Sequence, residues 1–146
     1  MFDLFGEFDS AEELNAAAAG LLAEGDHENI VKLAAENGLD EVFAQGYIEG
    51  EIPELTNTLM AAVGKIEVER GGISDPIYDG IKDYIFNFIM SQCQDETFAR
   101  AVRRKSKCLK ACIEHCKAGT KKIVTSQGGS VADRIVYGFA KEYYIG

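Results

Sequence analysis

The residues best suited to chemistry are the four cysteines and one histidine near them. Cys108, Cys112 and Cys116 fall four apart, His115 adjoins the last, and Cys93 lies one helix earlier. Zinc takes four nitrogen or sulfur ligands in a tetrahedron, commonly from closely spaced cysteine pairs. Cys112 and Cys116 loosely meet that spacing, but they make only one close pair. Both also fall on an apolar stripe with Val102, Leu109 and Ile113, where a reduced cysteine behaves as a small hydrophobe. Core packing is therefore the expectation, with no metal and no cofactor. A Cys116–His115 nucleophilic pair is disfavoured because neighbours on a helix point about 100° apart. His27, the other histidine, reads as a solvated residue in the first turn of its helix. The chain holds no Ser–His–Asp set, no phosphate-cradling glycine loop and no H-E-x-x-H motif. A non-enzymatic protein is expected.

Charge is the stronger signal. Residues 1–96 carry 21 Asp and Glu against 4 Lys and Arg, and residues 97–146 carry 3 against 11. The first part is thus −17 and the second +8, within a formal net charge of −9. Such asymmetry speaks of partners and association rather than of fold. The acidic balance disfavours simple duplex DNA binding, which needs Lys and Arg on phosphates.

Two surfaces are candidates for contact. From Asp3 to Glu54 the acids have only Lys32 among them. Glu12, Glu13, Asp26, Glu28, Asp40, Glu41, Glu49 and Glu51 are the expected protein-binding carboxylates. They serve solubility, or they imitate a nucleic-acid backbone, since i, i+4 positions on a helix rise about 6 Å. The second candidate is the basic run Arg100, Arg103, Arg104, Lys105, Lys107 and Lys110, as a DNA or anionic-protein contact. Its alternative is an internal one, answered by Asp75, Asp79 and Asp83, which are like-charged at i, i+4, i+8. The segment Ala34–Leu39 faintly resembles a helix-turn-helix corner. The helix that would follow it, from Asp40 to Tyr47, lacks any Arg or Lys to hold phosphates.

The elements that position these residues read as helices. Ser10 with Glu13 forms a capping box before Leu14, Ala17, Ala18, Leu21 and Leu22. Gly25 stops that helix and Asp26 caps the next, which ends at Asn37-Gly38. A short helix runs from about Asp40 to Ile48 and closes at Gly50. Pro53 suits the first turn of a helix carrying Leu55, Leu59, Ala62 and Ile66, broken at Gly71-Gly72. Asp75-Pro76 restarts with Ile77, Ile81, Ile85, Phe88 and Ile89, the most apolar stripe and the expected centre of the core. Asp95 caps one helix bearing Phe98, Val102, Leu109, Ile113 and Cys116. Ile123-Val124-Thr125 reads as a short extended piece, and Ser130 as the cap of a last helix with Ile135, Val136, Phe139 and Tyr143. The expectation is a single all-α domain over 1–146, with six or seven helices joined by short turns.

Met1-Phe2-Asp3-Leu4-Phe5 has no positive n-region, and no apolar run reaches the ~20 residues of a membrane span. A cytoplasmic protein with reduced cysteines and no membrane contact is expected.

The opening Met1–Asn15, Ala18-x-Gly20-Leu21-Leu22, Glu24-Gly25-Asp26, Pro53-Glu54-Leu55, Leu59-Met60-Ala61-Ala62, the basic block Ala101–Ile113 and Glu142-Tyr143-Tyr144 together resemble PcfK-like proteins of Firmicutes mobile elements. The likeness is weakest over 71–94 and 117–133. Ser106 and Ala111 stand where glycines are expected. The resemblance implies a link to conjugative plasmids and integrative elements, and it carries over no catalytic residue. It also implies kinship with plasmid-encoded anti-CRISPRs that restrain Cas9, whose nucleic-acid channels are positively charged. The expected function is a non-enzymatic protein that binds and inhibits a basic nucleic-acid-handling protein, Cas9 preferred, through its acidic helices. The rival is a conjugation accessory protein using its basic helix.

Overall fold

The computed structural model describes residues 2–73, 79–127 and 132–146, with the side chains of 79, 80, 126 and 127 left aside. Eight helices occupy the described residues: α1 (Ala11–Ala23), α2 (His27–Glu36), α3 (Glu41–Ile48), α4 (Thr58–Gly72), α5 (Asp79–Gln92), α6 (Glu96–Arg103), α7 (Leu109–Gln127) and α8 (Asp133–Ile145). No strand occurs among the described residues. The chain is all-α as expected, with more helices than six or seven.

Local chemistry sets most boundaries. Ser10 Oγ accepts from the Glu13 amide, and the Glu13 carboxylate accepts from the amide of Asp9, one residue before the cap. Asp26, Asp40, Asn57 and Asp95 each accept from an amide in the first turn of the helix that follows. Gly25, Gly38 and Gly50 take positive φ at the three helix ends, as a left-handed stop requires.

Three expectations about the elements are corrected. The helix beginning near Pro53 starts instead at Thr58, because Asn57 supplies the cap and residues 51–55 form bends. The single helix expected after Asp95 is two, α6 and α7, broken at 104–108. Ile123-Val124-Thr125 is helical, the last part of α7. Gly119 lies inside that helix, where a Cβ would fall 2.7 Å from the Phe139 ring, so glycine lets α8 close on α7. The expected starts at Asp75-Pro76 and Ser130 lie outside the described residues; α8 begins after Ala132, which makes no side-chain cap.

Two apolar cores flank α4. Leu14, Ile30, Leu33, Leu39, Leu55 and Ala61 belong to one, built by α1–α3 and the start of α4. Ala62, Ile66, Ile85, Ile89, Leu109 and Ile113 belong to the other, built by α4–α8. Neighbouring residues Ala61 and Ala62 thus look into different cores, and α4 touches α1, α5, α6 and α7. This makes α4 the centre, in place of the expected α5. Ile85 and Ile89 of α5 are fully buried, while Ile81 is partly exposed.

Candidate charged interaction surfaces

The break between α6 and α7 is where the charge asymmetry acquires a geometry. Lys65 and Glu69 stand one turn apart on α4, both buried. The Lys65 ammonium donates to the carbonyls of Arg104 and of Lys107, the latter at 2.7 Å, and pairs with Glu7 at 3.1 Å. Glu69 Oε1 accepts from the Leu109 amide at 3.1 Å. A cation on α4 therefore caps two carbonyls just after α6, and an anion one turn on satisfies an orphan amide at the start of α7. The Tyr143 hydroxyl takes the Cys108 amide at 2.9 Å, and Lys107 Nζ donates to the Tyr143 carbonyl at 2.9 Å. The middle of the basic block, 104–108, is a loop held by α4 and α8, so its charges do not form the stripe that one continuous helix implied.

Arg103 ends α6 with no exposed surface. Its Nη2 donates to Asn37 Oδ1 at 2.8 Å, its Nη1 to the Ala61 carbonyl at 3.4 Å, and its guanidinium lies 5.7 Å from the Phe2 ring centroid. Its Nε is buried without a hydrogen-bond partner. Among the basic candidates this one is structural as folded, joining α6 to the α2–α3 corner. Arg100, Arg104, Lys105 and Lys110 are exposed and Lys107 is half-buried.

Burial pushes the Glu69 carboxyl up to about 7, against the pull of Lys65 and the Leu109 amide. Burial also lowers the Lys65 ammonium, opposed by Glu69 and Glu7. The Glu69 shift has a testable sign. Its folded value lies above its unfolded one, so its stabilisation is complete below about 4.5 and is lost as pH rises to about 7. The expected loss is on the order of 3 kcal/mol. Urea midpoints measured between about pH 5.5 and about pH 8 should fall for the wild type and change much less in Glu69→Gln. Equal slopes for the two proteins would exclude this role.

The N-terminal residues 2–9 lie across this region as an arm. The Glu36 carboxylate receives the amides of Leu4 and Phe5, and Glu7 reaches Lys65. Asp9 Oδ1 accepts from the Lys105 amide at 2.9 Å and lies 4.0 Å from Arg104 Nε. Just beyond, Glu12 on α1 pairs with Arg100 at 3.1 Å, and Arg100 also meets Glu96 at 3.6 Å. Hydrogen bonding from its own backbone, then Arg100, holds the Glu12 carboxyl below its ordinary value. Part of the charge split is therefore internal, through Glu7, Asp9 and Glu12. Asp83 pairs elsewhere, with Arg70 at 3.0 Å. Asp75 lies outside the described residues, as does the Asp79 side chain.

The acidic candidates sort by what they already do. Glu13, Asp26 and Asp40 serve helix starts, Glu12 is taken by Arg100, and Glu28 holds Lys32 at 3.1 Å. Glu41, Glu49 and Glu51 are exposed on or just after α3. Exposed Glu24 adds to them; the sequence reading did not single it out, although its place just past α1 was legible. A groove of about 640 Å³ beside α1 and the start of α4 is rimmed by Glu12, Glu54 and Glu96.

The cysteines pack. Cys93, Cys112 and Cys116 are buried, Cys108 is exposed and all four are free thiols. Cys112 Sγ lies 4.0 Å from the Ala140 carbonyl and Cys116 Sγ 3.7 Å from that of Val136, so both thiols face α8. Burial pushes the Cys93 thiol up to about 12. His115 meets Glu142 at 3.1 Å. No group of three or more His, Cys, Asp or Glu among the described residues could hold a metal ion. No helix among them is long and apolar enough to cross a membrane.

Residues 77–146 match the family model described as PcfK-like protein. Over these residues, just under half of its length, the chain is similar to PcfK-like proteins. The matched span includes most of the two stretches where the sequence resemblance is weakest, and it leaves out the acidic opening. It contains α5–α8, the held basic loop and much of the second core. No curated protein and no solved structure matches the chain.

Proposed function

We propose that this chain is a non-enzymatic protein of a mobile element that binds a basic nucleic-acid-handling protein through the acidic surface of α1–α3. Cas9 is the preferred target. One observation carries the reading. Even after internal pairing, Glu24, Glu41, Glu49 and Glu51 remain exposed, and Lys32, the lone Lys or Arg before Lys65, is spent on Glu28. An uncompensated acidic surface steers association with a basic one and resists binding to nucleic acid itself. The PcfK-like match supports the mobile-element setting, where restraint of a DNA-cutting enzyme serves the incoming DNA.

The test uses charges that do no structural work. Glu12, Glu13 and Asp40 are poor choices because each holds Arg100, an amide or a helix start. Combined Glu41→Lys, Glu49→Lys and Glu51→Lys should leave the fold intact and weaken capture of purified Cas9 by tenfold or more, that is, about 1.4 kcal/mol or more. Capture by the wild type should also fall steeply with salt. Undiminished capture by the triple variant would refute the acidic contact.

A second reading is favoured by the position of the family match. The PcfK-like residues include the basic half, with Arg104, Lys105 and Lys110 exposed. These would serve a conjugation accessory protein that touches DNA or a transfer component. Binding of DNA by the wild type at physiological salt would favour it over the first.

A further inference from the structure

We infer that Asp9 at the end of the N-terminal arm and Glu12 in the first turn of α1 are an internal stand-in for a polyanion: their carboxylates occupy a phosphate-binding ledge formed by Arg100, Arg104 and the Lys105 amide, and nucleic acid binds there when these two side chains turn aside. This inference rests on the second reading, in which the basic half touches DNA, and is independent of the acidic surface of α2 and α3.

The ledge has the parts of an anion site. Asp9 Oδ1 sits on a backbone amide outside any helix and beside a guanidinium, the pairing of donors that phosphate oxygens use. Glu12 holds a second guanidinium on the neighbouring turn of α6. Arg103, between Arg100 and Arg104 in sequence, keeps a buried Nε without a hydrogen-bond partner, and its guanidinium lies 5.7 Å from the ring centroid of Phe2 on the arm. The loop is rigid without Asp9 and Glu12, because Lys65, Glu69 and Tyr143 fix the chain from Arg104 to Leu109.

The energetics favour release of the Asp9 and Glu12 side chains alone, with the backbone on either side kept by Glu7 and by the α1 cap. Glu7 is tied to the buried Lys65 and stays. The Arg100–Glu12 pair is about half exposed on both sides and the Arg104–Asp9 contact is long, and such pairs contribute little each. A ligand bearing several phosphates gains more, since it can also reach Lys105 and Lys110, both exposed. A phosphodiester strand is favoured over an acidic peptide because its regularly spaced phosphates can engage several separated cations at once, and the C-terminal half carries further exposed bases in Lys121, Lys122, Arg134 and Lys141.

The test is a gain of binding by the full-length protein. Asp9→Asn with Glu12→Gln should raise affinity for a fluorescent single-stranded DNA oligonucleotide at least tenfold at low salt. Adding Arg104→Ala should remove that gain. Glu49→Gln with Glu51→Gln deletes the same charge away from the arm and should give no comparable gain. Circular dichroism and thermal melting should show all three variants folded. No gain in the arm variant, an equal gain in the Glu49/Glu51 control, or a gain that survives Arg104→Ala would each overturn the ledge. A polyglutamate peptide that binds the arm variant as tightly as the oligonucleotide would overturn its assignment to nucleic acid.

Discussion

Replacing Arg103 with alanine should cost the fold about 3–5 kcal/mol, as expected when one member of a buried charged network is removed. The side chain has no solvent exposure, and it donates to Asn37 and to the Ala61 carbonyl. Its loss leaves the Asn37 carbonyl oxygen without that donor and Glu7 and Glu69 with Lys65 as their remaining buried cation. It also opens a cavity between the α2–α3 corner and α6. For a chain of this size the melting temperature should drop by roughly 10 °C. Arg103→Met, which keeps the volume and removes the charge, should lose less. Thermal and urea unfolding of the two variants measures both effects. If Arg103 were chiefly a nucleic-acid contact, Arg103→Ala would keep its stability and lose binding alone.

The second large effect is expected at Gly64. A Cβ there would stand 2.3 Å from the Asn37 carbonyl oxygen, and one on Gly38 would stand 2.2 Å from the Gly64 carbonyl. Backbone meets backbone at this crossing, so no side chain can turn aside. Gly64→Ala should therefore destabilise by at least about 2 kcal/mol, as overpacking does, despite the ~1 kcal/mol that alanine gains over glycine inside a helix. Pushing the α2–α3 corner away also disturbs Asn37, the partner of Arg103, so the two substitutions should be strongly non-additive. Gly20, inside α1 with open space where a methyl group would stand, provides the contrast. Gly20→Ala should stabilise by up to about 1 kcal/mol. Melting curves of the two alanine variants should move in opposite directions.

What was legible in the sequence followed from local chemistry. Ser10, Asp26, Asp40 and Asp95 cap helices because their short oxygens reach the next turn, and these starts could be read one by one. The apolar face of α7 was equally plain, and Cys112 and Cys116 lie in it. The break at 104–108 was not legible. Nothing local stops the helix there; Lys65 and Glu69, some 40 residues earlier, cap both sides of the gap. Nor could spacing show that Arg103 turns inward while Arg104 turns out, since that depends on Asn37 and Ala61 across the fold. A Lys and a Glu at i, i+4 within the apolar run of α4 were the available signal, and they look like an exposed helix pair. Asp83 and its neighbours are the internal answer to the basic block that helical spacing suggests. The answer comes instead from the N-terminal arm, which no helical periodicity could place.

The proposed engagement of a basic nucleic-acid-handling protein, Cas9 preferred, by the acidic surface is tested most directly by Cas9 cleavage of a target plasmid at increasing ratios of this protein. Saturable inhibition by the wild type is expected, weakening with salt and largely lost in the Glu41→Lys, Glu49→Lys, Glu51→Lys variant. Full cleavage at a large molar excess of wild-type protein would contradict the Cas9 assignment, and inhibition unchanged in the variant would contradict the acidic surface as its cause.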